Sequence, residues 1–457
     1  MLLEFEGDGL RESIHQLNLR LAKFANALAM SVCFAFVWFH FLEASMEVPY
    51  SLWGNMAIIG IFLVLYCQFG RIYEAFLVSY MRISELVYSQ MLAAAATDVI
   101  MYVFTCLLLR RFPPVYHFLF LGLDELVIAV LWSYAAHLWY FKSFPPKRTI
   151  VVWDMRKGME NLVSSYGMSK KFNVLADYSA ETCVRDLSVL DDAEVVFLSG
   201  VHSHDRNIII KYCIERGIVS FMVPRVGDVL MSGAQRMHLF HLPILRLAAY
   251  NPAPEFLFLK RLTDIVFSVF ALVLTLPVQL VTMLAIKLED GGPVFYKQVR
   301  LTQYGRRFEL IKFRSMSVDA EKDGVARLSS GTADSRVTRV GAFIRATRID
   351  EIPQFVNVLK GEMSIVGPRP ERPEIAEIYE KELPEFRLRL QAKCGLTGYA
   401  QVYGKYNTEP YDKLQMDLMY IANPGIAQDI NILFATIKIL FLKDSTEGID
   451  EEKTNAL

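Results

Sequence analysis

Four long apolar stretches within the first 145 residues constrain this chain more than any other feature of its sequence. They lie near residues 24–42, 52–69, 91–109 and 115–141. Each approaches or exceeds the ~20 residues that a helix needs to cross ~30 Å of hydrocarbon. The first stretch begins late and has no small-residue cleavage site, so it is not a signal peptide. The pattern predicts four membrane-spanning helices over residues 1–147.

The positive charges around these stretches predict their orientation. Arg110 and Arg111 are the only two on one side. Eight lie on the other side, at the N-terminus, after the second stretch and after the fourth: Arg11, Arg20, Lys23, Arg71, Arg82, Lys142, Lys147 and Arg148. Because cytoplasmic loops carry the excess of Lys and Arg, both ends of the bundle are predicted to face the cytoplasm.

Three acids lie inside the apolar stretches, namely Asp98, Asp124 and Glu125. Charge at membrane depth is costly and raises the question of function. We favour positions near an interface, in the bundle interior, or paired with Arg110 and Arg111. A transport or proton-relay role is the less favoured alternative.

Residues 148–250 predict a small α/β domain. The apolar run from Thr149 to Trp153 is typical of a buried parallel strand. Further strands are expected at 172–176, 193–199 and 218–223, with helices before Tyr166 and at 204–217. This alternation indicates a Rossmann-like sheet. The segment after the first strand, Asp154–Met159, has one glycine where a dinucleotide site needs several, so we interpret the domain as a scaffold or regulatory module.

Charge concentrates in the next part of the chain. The net charge is −1, yet residues 258–370 carry 17 Lys and Arg against 11 Asp and Glu, and residues 371–457 carry 10 against 15. A basic block points to an anionic partner such as phosphate, nucleic acid or anionic lipid. The six cysteines form no C-x-x-C pair, so neither a zinc site nor a disulfide framework is expected.

A fifth apolar stretch covers residues 260–288 and begins with Lys260, Arg261 and Asp264. A fifth crossing would place all that follows outside the cell, away from cytoplasmic nucleotides. Pro277 lies in mid-segment, where it removes a backbone donor and bends a helix. We therefore predict a re-entrant helix that returns to the cytoplasm, with Lys260 and Arg261 near lipid phosphates.

Several short motifs follow this stretch. They are Lys312-Phe313-Arg314-Ser315-Met316, Arg345-x-x-x-x-Asp350-Glu351, Asn357-Val358-Leu359-Lys360-Gly361, Gly367-Pro368-Arg369-Pro370 and Gly395-Leu396-Thr397-Gly398-x-Ala400-Gln401-Val402. Singly each is ordinary, because a charge-bearing strand is usually solvated and acids at a helix start cap it. Asp350 and Glu351 are predicted to open a helix that stops at Gly361.

In this order and spacing, and together with the later Asp417, the run from Lys260 to Lys443 resembles the bacterial sugar transferase family, the monotopic polyprenyl-phosphate hexose-1-phosphate transferases. The whole layout is similar to the large branch of that family. The resemblance implies a membrane protein with a four-helix transmembrane bundle (1–147) and a Rossmann-like cytoplasmic α/β domain (148–250). A monotopic α/β catalytic domain (258–445) with a re-entrant helix (260–288) follows, and then an acidic C-terminal tail (446–457). Many members have Ser-Pro at the helix break, where this chain has Leu276-Pro277.

The resemblance also implies a chemistry. Asp350, paired with Glu351, would attack the β-phosphorus of a UDP-sugar and release UMP. Undecaprenyl phosphate would then take the sugar phosphate from this covalent intermediate. Mg²⁺, with Asp350 as its ligand, and nearby cations would offset the phosphate charge. The phosphate- or substrate-binding positions fall on Arg345, Arg369, Lys312, Arg314 and Gln401, and the membrane-helix positions on Lys260, Arg261, Asp264 and Pro277.

The family's setting implies a place in the cell. The expected location is the bacterial inner membrane, with the catalytic domain facing the cytoplasm at the first membrane step of exopolysaccharide, capsule or O-antigen assembly. Expected partners are membrane lipid and downstream glycosyltransferases, without nucleic acid, and a homodimer is compatible with the sequence. Which hexose is used is not encoded in any motif above.

Two other classes of protein fit parts of the sequence. A membrane-anchored NAD-dependent nucleotide-sugar dehydratase shares the layout of spans followed by an α/β domain, but the missing glycine motif disfavours it. A non-catalytic scaffold of a polysaccharide complex would keep the fold, but the intact set of Arg345, Asp350, Glu351 and Arg369 argues against it.

Overall fold

The computed structural model describes residues 2–45, 49–318, 336–404 and 408–440, with side chains from residue 17 onward. The acidic tail predicted at 446–457 lies outside the described residues. The chain divides into two compact units. The first comprises Met1–Val152, Met159–Phe197 and Ser203–Phe221, and the second comprises Trp153–Gly158, Leu198–His202 and Met222–Leu457.

The first unit begins with the four predicted apolar helices. They are α1 (Leu2–Val37), α2 (Leu52–Ile72), α3 (Ile83–Leu109) and α4 (Tyr116–Ser143). The apolar part of α1 runs on through a π-helical turn to Leu42, so all four helices are long and apolar enough to cross a membrane. Their outward surfaces carry large exposed apolar side chains. The prediction of four membrane helices is confirmed.

A polar network ties these helices together at their centre. Tyr66 of α2 donates to Asn26 Oδ1 of α1 (2.9 Å), and Asn26 donates to Gln90 of α3 (3.1 Å). Gln90 in turn donates to Ser133 of α4 (3.1 Å). Polar groups in hydrocarbon must find partners within the protein, so this network specifies how the helices pair. Glu125 is fully buried in the same bundle.

A four-stranded parallel sheet follows, with strand order β2-β1-β3-β4. Its strands are β1 (Lys147–Trp153), β2 (Phe172–Ser179), β3 (Val195–Ser199) and β4 (Val219–Met222). The helices between them are α5 (Met159–Ser165), α6 (Ala180–Arg185) and α7 (Ser203–Glu215). Ile150, Val151 and Val152 are buried, as a continuous apolar strand requires. The expected α/β alternation is confirmed.

The second unit contains the remaining elements. Its helices are α8 (Val226–Ser232), α9 (Pro254–Leu274), α10 (Leu276–Asp290), α11 (Arg339–Ala346), α12 (Gln354–Lys360), α13 (Pro373–Glu382), α14 (Tyr399–Tyr403), α15 (Pro410–Ala422) and α16 (Ile426–Leu440). Its strands form three pairs: β5 (Gln235–Leu239) with β6 (Leu242–Arg246), β7 (Phe295–Leu301) with β8 (Arg307–Phe313), and β9 (Ser364–Val366) with β10 (Gly395–Thr397). The larger of its hydrophobic clusters is built on Leu310, Val358, Met363, Leu414 and Leu418, and a smaller one on Ile286, Phe313 and Ile344.

The hairpin β5–β6 is an element that the sequence pattern did not predict. Its two-residue turn, Phe240-His241, has both residues at positive φ (55° and 61°). Such a turn normally carries Asn or Gly, and neither is present to signal it.

Helices α9 and α10 form the fifth apolar stretch and are bent by 61° at their junction. Pro277 stands in the first turn of α10, where its missing N–H costs least. Thr275 Oγ1 donates to the carbonyl of Ala271 (2.7 Å), and Gln279 Nε2 donates to that of Leu272 (3.0 Å). Thr275 and Gln279 thus satisfy carbonyls at the break.

Candidate active site

The predicted acidic pair lies in a single 3₁₀ turn, Ile349–Glu351, between α11 and α12. The turn is entered through Arg348, whose φ of 54° is left-handed. A non-glycine residue in that region costs of order 1–3 kcal/mol, so the surrounding structure must hold it there. Gly361 ends α12 with φ 83°, as predicted. The acids therefore precede the helix rather than belong to it.

Lys312 of β8 connects the two acids. Its Nζ lies 2.9 Å from Glu351 Oε1 and 3.9 Å from Asp350 Oδ2. Lys312 has the same parity along β8 as Phe308 and Leu310, which are buried in the core. Lys312 therefore does not belong to a solvated face of β8, because its ammonium lies beside the acidic pair.

Arg369 approaches the pair from the other side. It follows β9 in the loop Gly367–Pro370, and its guanidinium lies 3.7 Å from Glu351 Oε1. The Arg369 side chain remains 46% exposed, so it can contact an incoming anion. The backbone of this loop is held in place by Arg389, which donates to the carbonyl of Arg369 (2.9 Å).

That fixing residue is itself held by an acid. Arg389 donates from Nε (2.9 Å) and from a terminal nitrogen (2.6 Å) to Asp417, and both side chains are almost fully buried. The family resemblance includes Asp417, whereas Arg389 has no motif around it to indicate its role. Together they form a buried pair that supports the loop of Arg369.

The two adjacent acids have opposite pKa shifts. Burial, reinforced by the charge of Glu351, raises the pKa of Asp350 to about 6, although Lys312 and Arg345 act against it. Burial acts to raise the pKa of Glu351 too, but Lys312 and Arg369 hold it down at about 2. The pair titrates as a unit in which Asp350 takes the proton and Glu351 stays ionised.

Two arginines on the approach to the turn add to this field. Arg345, in the last turn of α11, lowers the pKa of Asp350. Arg348 acts on both acids in the same direction. Sequence reasoning selected Arg345 and missed Arg348, although the Arg345-x-x-Arg348 spacing beside the acids was a usable signal.

A small cavity opens beside Glu351. It is lined by Arg300, Leu310, Lys312, Glu351, Gln354, Arg369, Pro370, Gly395 and Leu396. Gln401 supports its wall by donating to the carbonyl of Leu396 (3.1 Å). Arg300 was not selected from the sequence. It donates to the carbonyl of Pro370 (3.0 Å), and burial lowers its pKa to about 10.

Arg314 is not brought to the acidic pair. It pairs with Asp290, the last residue of α10, and its backbone N–H donates to Val294 (2.9 Å). It therefore fastens the end of the apolar helix pair to β8, whereas the resemblance implied a phosphate-binding role.

The other end of the helix pair is fastened as well. Lys260 is buried and donates to Asp429 (2.7 Å) and to the carbonyl of Val366 (3.0 Å). Arg261 caps α12 through the carbonyls of Val358 (2.7 Å) and Leu359 (2.8 Å). Both cations thus bind protein carbonyls, where we expected lipid headgroups.

Asp264 lies one turn further along α9. It accepts from the backbone N–H of Ile365 (2.9 Å) and from Ser364 (3.1 Å), so it is bonded to strand β9. The polar side of α9 is therefore attached to the strand that leads directly into the loop of Arg369.

A metal ion could be held by few residues. Within the described ranges, no group of three or more His, Cys, Asp or Glu is placed to hold one. Mg²⁺, however, commonly takes one or two carboxylates and completes its shell with waters and substrate phosphates. Asp350 and Glu351 fit that mode.

A carboxylate pair surrounded by converging cations lies on the unit that carries the bent apolar helix pair. Residues 256–443 match the family described as bacterial sugar transferase. A UDP-glucose:undecaprenyl-phosphate glucose-1-phosphate transferase of Caulobacter vibrioides is 39% identical over 191 residues, which cover 41% of this chain and 71% of that protein. The chain therefore belongs to the bacterial sugar transferase family.

Two longer relatives also match part of this chain. The UDP-N-acetylgalactosamine-undecaprenyl-phosphate N-acetylgalactosaminephosphotransferase of Aeromonas hydrophila is 40% identical over 231 residues, 50% of this chain and 53% of that protein. A UDP-glucose:undecaprenyl-phosphate glucose-1-phosphate transferase of Klebsiella pneumoniae is 40% identical over 191 residues, 41% of each. The match thus spans about half of these relatives' length or less.

Proposed function

We propose that this protein transfers a hexose-1-phosphate from a UDP-sugar to undecaprenyl phosphate and releases UMP. The observation that carries the proposal is the buried Asp350, 3.9 Å from the ammonium of Lys312 and next to a Glu351 that stays ionised. A carboxylate with a raised pKa is a better nucleophile than an ordinary one and is still ionised at neutral pH. The relatives' names give the substrate classes.

The proposed first step forms a covalent intermediate. An Asp350 carboxylate oxygen attacks the β-phosphorus, and the bond from that phosphorus to the oxygen bridging the two phosphates breaks. UMP leaves with the bridging oxygen and its electron pair. In the second step a phosphate oxygen of the lipid attacks the same phosphorus, and the Asp350 carboxylate leaves unchanged. No proton donor, oxidant or reductant is needed.

The surrounding cations hold the substrate phosphates. Arg369 is exposed toward ligand, and Arg345 and Lys312 lower the repulsion between Asp350 and an anionic substrate. Glu351 keeps Lys312 in place through their ion pair. Mg²⁺, which Asp350 would hold, would neutralise diphosphate charge.

We further propose that α9 and α10 enter one leaflet and return. Lys260 near one end and Asp290 at the other are both bonded within the second unit, which supports their lying on the same side of a membrane. α10 has 15 residues, as does α9 from Lys260 onward, and so each arm is about 22 Å long. That length is short of the ~30 Å of hydrocarbon.

This placement extends to the whole chain. We propose an inner-membrane protein with residues 1–147 spanning four times and the second unit in the cytoplasm. The parallel sheet of order β2-β1-β3-β4 supports a Rossmann-like middle domain at 148–250, and the catalytic domain is proposed at 258–445. The lipid-linked product would feed downstream glycosyltransferases.

One assay tests the activity. Full-length protein in nanodiscs is incubated with undecaprenyl phosphate, Mg²⁺ and a panel of UDP-hexoses and UDP-N-acetylhexosamines, and UMP release is measured. We expect UMP with at least one sugar and none after Mg²⁺ is chelated. Absence of UMP across the panel, with the protein folded, would reject the proposal. The panel also identifies the sugar, since the named relatives use different ones.

A further inference from the structure

The loops that follow β1 and β3 face a helix of the catalytic domain. In the order β2-β1-β3-β4, strand β2 lies on one side of β1 and strand β3 on its other side, so the direction of the chain across the sheet reverses at β1. The crevice between the carboxyl ends of β1 and β3 is thus the topological switch point, where α/β sheets bind their ligands. Its loops, Trp153–Gly158 and Leu198–His202, belong to the same compact unit as α15.

The loop after β1 binds a carboxylate of the chain itself. Both terminal nitrogens of Arg156 donate to Asp412 in the first turn of α15, and each donor–acceptor distance is 2.7 Å. The side chains are 24% and 20% exposed, so the pair is largely shielded from water. A second acid, Glu409, lies 4.0 Å from the same guanidinium. Two parallel bonds fix orientation as well as distance.

Two further contacts run along the same side of α15. Gln415 donates to the carbonyl of Pro224, and a Cβ at Gly233 would overlap the carbonyl oxygen of Ala422. At 100° per residue, positions 412, 415 and 422 lie within an arc of about 80°. Gly200 brings the two loops together, since a Cβ there would stand 3.2 Å from the backbone nitrogen of Arg156.

The opposite side of α15 leads to the active site. Asp417 is about 140° around the helix from Asp412 and binds Arg389. Arg389 donates to the backbone carbonyl of Arg369 (2.9 Å), whose guanidinium lies 3.7 Å from Glu351. A shift of α15 would therefore move Arg369 relative to the acidic pair.

We propose that Arg156 is a positioning residue. It binds α15 through Asp412, and α15 in turn sets the place of Arg369 through Asp417 and Arg389. The loops Trp153–Gly158 and Leu198–His202 are then part of the support that holds α15 in place. The effect on activity rests on the proposed function, whereas the effect on the loop of Arg369 does not.

A charge-swap experiment tests the coupling in the full-length protein. Arg156→Asp and Asp412→Arg are each expected to lower kcat/KM for UMP release by ~5-fold or more, within the range for residues that act through others. The double variant R156D/D412R restores the ion pair and is expected to recover to within ~2-fold of the parent. Arg185→Asp, which breaks an exposed ion pair with Glu181 on α6, is the matched control.

Hydrogen–deuterium exchange supplies a readout that is independent of substrate. The backbone amides of residues 367–372 are expected to exchange faster in each single variant and at the parental rate in the double variant. Arg156→Lys, which keeps the charge but loses the parallel bonds, is expected to lie between, and it serves if charge reversal unfolds the protein. Parental exchange and activity in the single variants, or no recovery in the double variant, would overturn the proposal. If the parent releases no UMP but the variants show this exchange pattern, the proposed activity is rejected and the coupling is retained.

Discussion

Lys312 Nζ lies 2.9 Å from Glu351 Oε1, and this ion pair joins strand β8 to the turn that carries the acids. It also makes the two adjacent carboxyl groups, Asp350 and Glu351, differ in pKa. Glu351 is the close partner of the lysine and stays ionised, while Asp350 is held 3.9 Å away with a pKa raised to about 6. The predictions below depend on this asymmetry.

Asp350→Asn is expected to abolish turnover without unfolding the protein. The amide has the same shape but cannot attack phosphorus, so UMP release should fall by several powers of ten. Asp192→Asn, at an exposed position in the first unit, is the control and should keep parental activity. Near-parental UMP release from a folded Asp350→Asn would mean that another group is the nucleophile.

UDP-sugar and Mg²⁺ without lipid should give about one UMP per active site and then stop. The sugar phosphate would remain on Asp350 until an acceptor arrives, which is burst behaviour. Rapid-quench measurement of UMP, with intact-mass analysis of the protein, checks this. Direct attack by the lipid phosphate would instead leave the protein mass unchanged and give no burst.

The activity should decrease as the pH is lowered through the pKa of Asp350. The carboxylate form predominates above about 6 and is lost below it, so kcat/KM for the UDP-sugar should drop about tenfold per pH unit on the acid side. Lys312 is the largest influence that lowers this pKa, so Lys312→Met should move the acid limb to higher pH. An acid limb that stays in place in this variant would contradict the assignment.

Pro277→Ala is expected to disturb the proposed re-entrant helix pair. The alanine restores a backbone donor at the break, and a straightened α9–α10 would be long enough to span. We expect part of the protein to expose a C-terminal reporter on the far side of the membrane, with lower UMP release. Pro254→Ala, at the start of α9, removes a proline that bends nothing and should have no effect. A parent protein whose C-terminus lies outside the cytoplasm would refute the re-entrant placement.

Asp417→Ala should destabilise the second unit strongly. Removing one partner of a buried ion pair costs about 3–5 kcal/mol, and Glu371, 3.4 Å from Arg389, would offset only part of that loss. The double variant R389M/D417L removes both charges and should cost less. Thermal unfolding in detergent of the three proteins measures the difference. Equal destabilisation of the single and double variants would show that the charge is not the cause.

The elements with strong periodicity or long apolar runs were predictable. The four membrane helices, the strand from Thr149 to Trp153 and the helix stop at Gly361 appear where the sequence indicated. Each is a local pattern whose cause lies within its own segment. The motif that contains Asp350 and Glu351 is also a local pattern.

What the sequence did not predict depends on partners far away in the chain. Arg314 lies near Lys312 in sequence but pairs with Asp290, and Lys260 is taken up by Asp429, 169 residues away. Arg389 becomes important only because α15 brings Asp417 to it. Such long-range pairings leave no periodic signal, and a motif gives a residue's type without its partner.

Strand β9 has only three residues, yet Asp264 of α9 is bonded to it at one end and the loop of Arg369 begins at the other. In the proposed membrane placement, this gives the active site a fixed height above the lipid. In the proposed reaction, a soluble nucleotide sugar and a lipid confined to the membrane plane meet at one phosphorus atom. The hydrogen bonds between Asp264 and β9 hold the loop of Arg369 at a set distance from the membrane helix, so no flexible tether is needed.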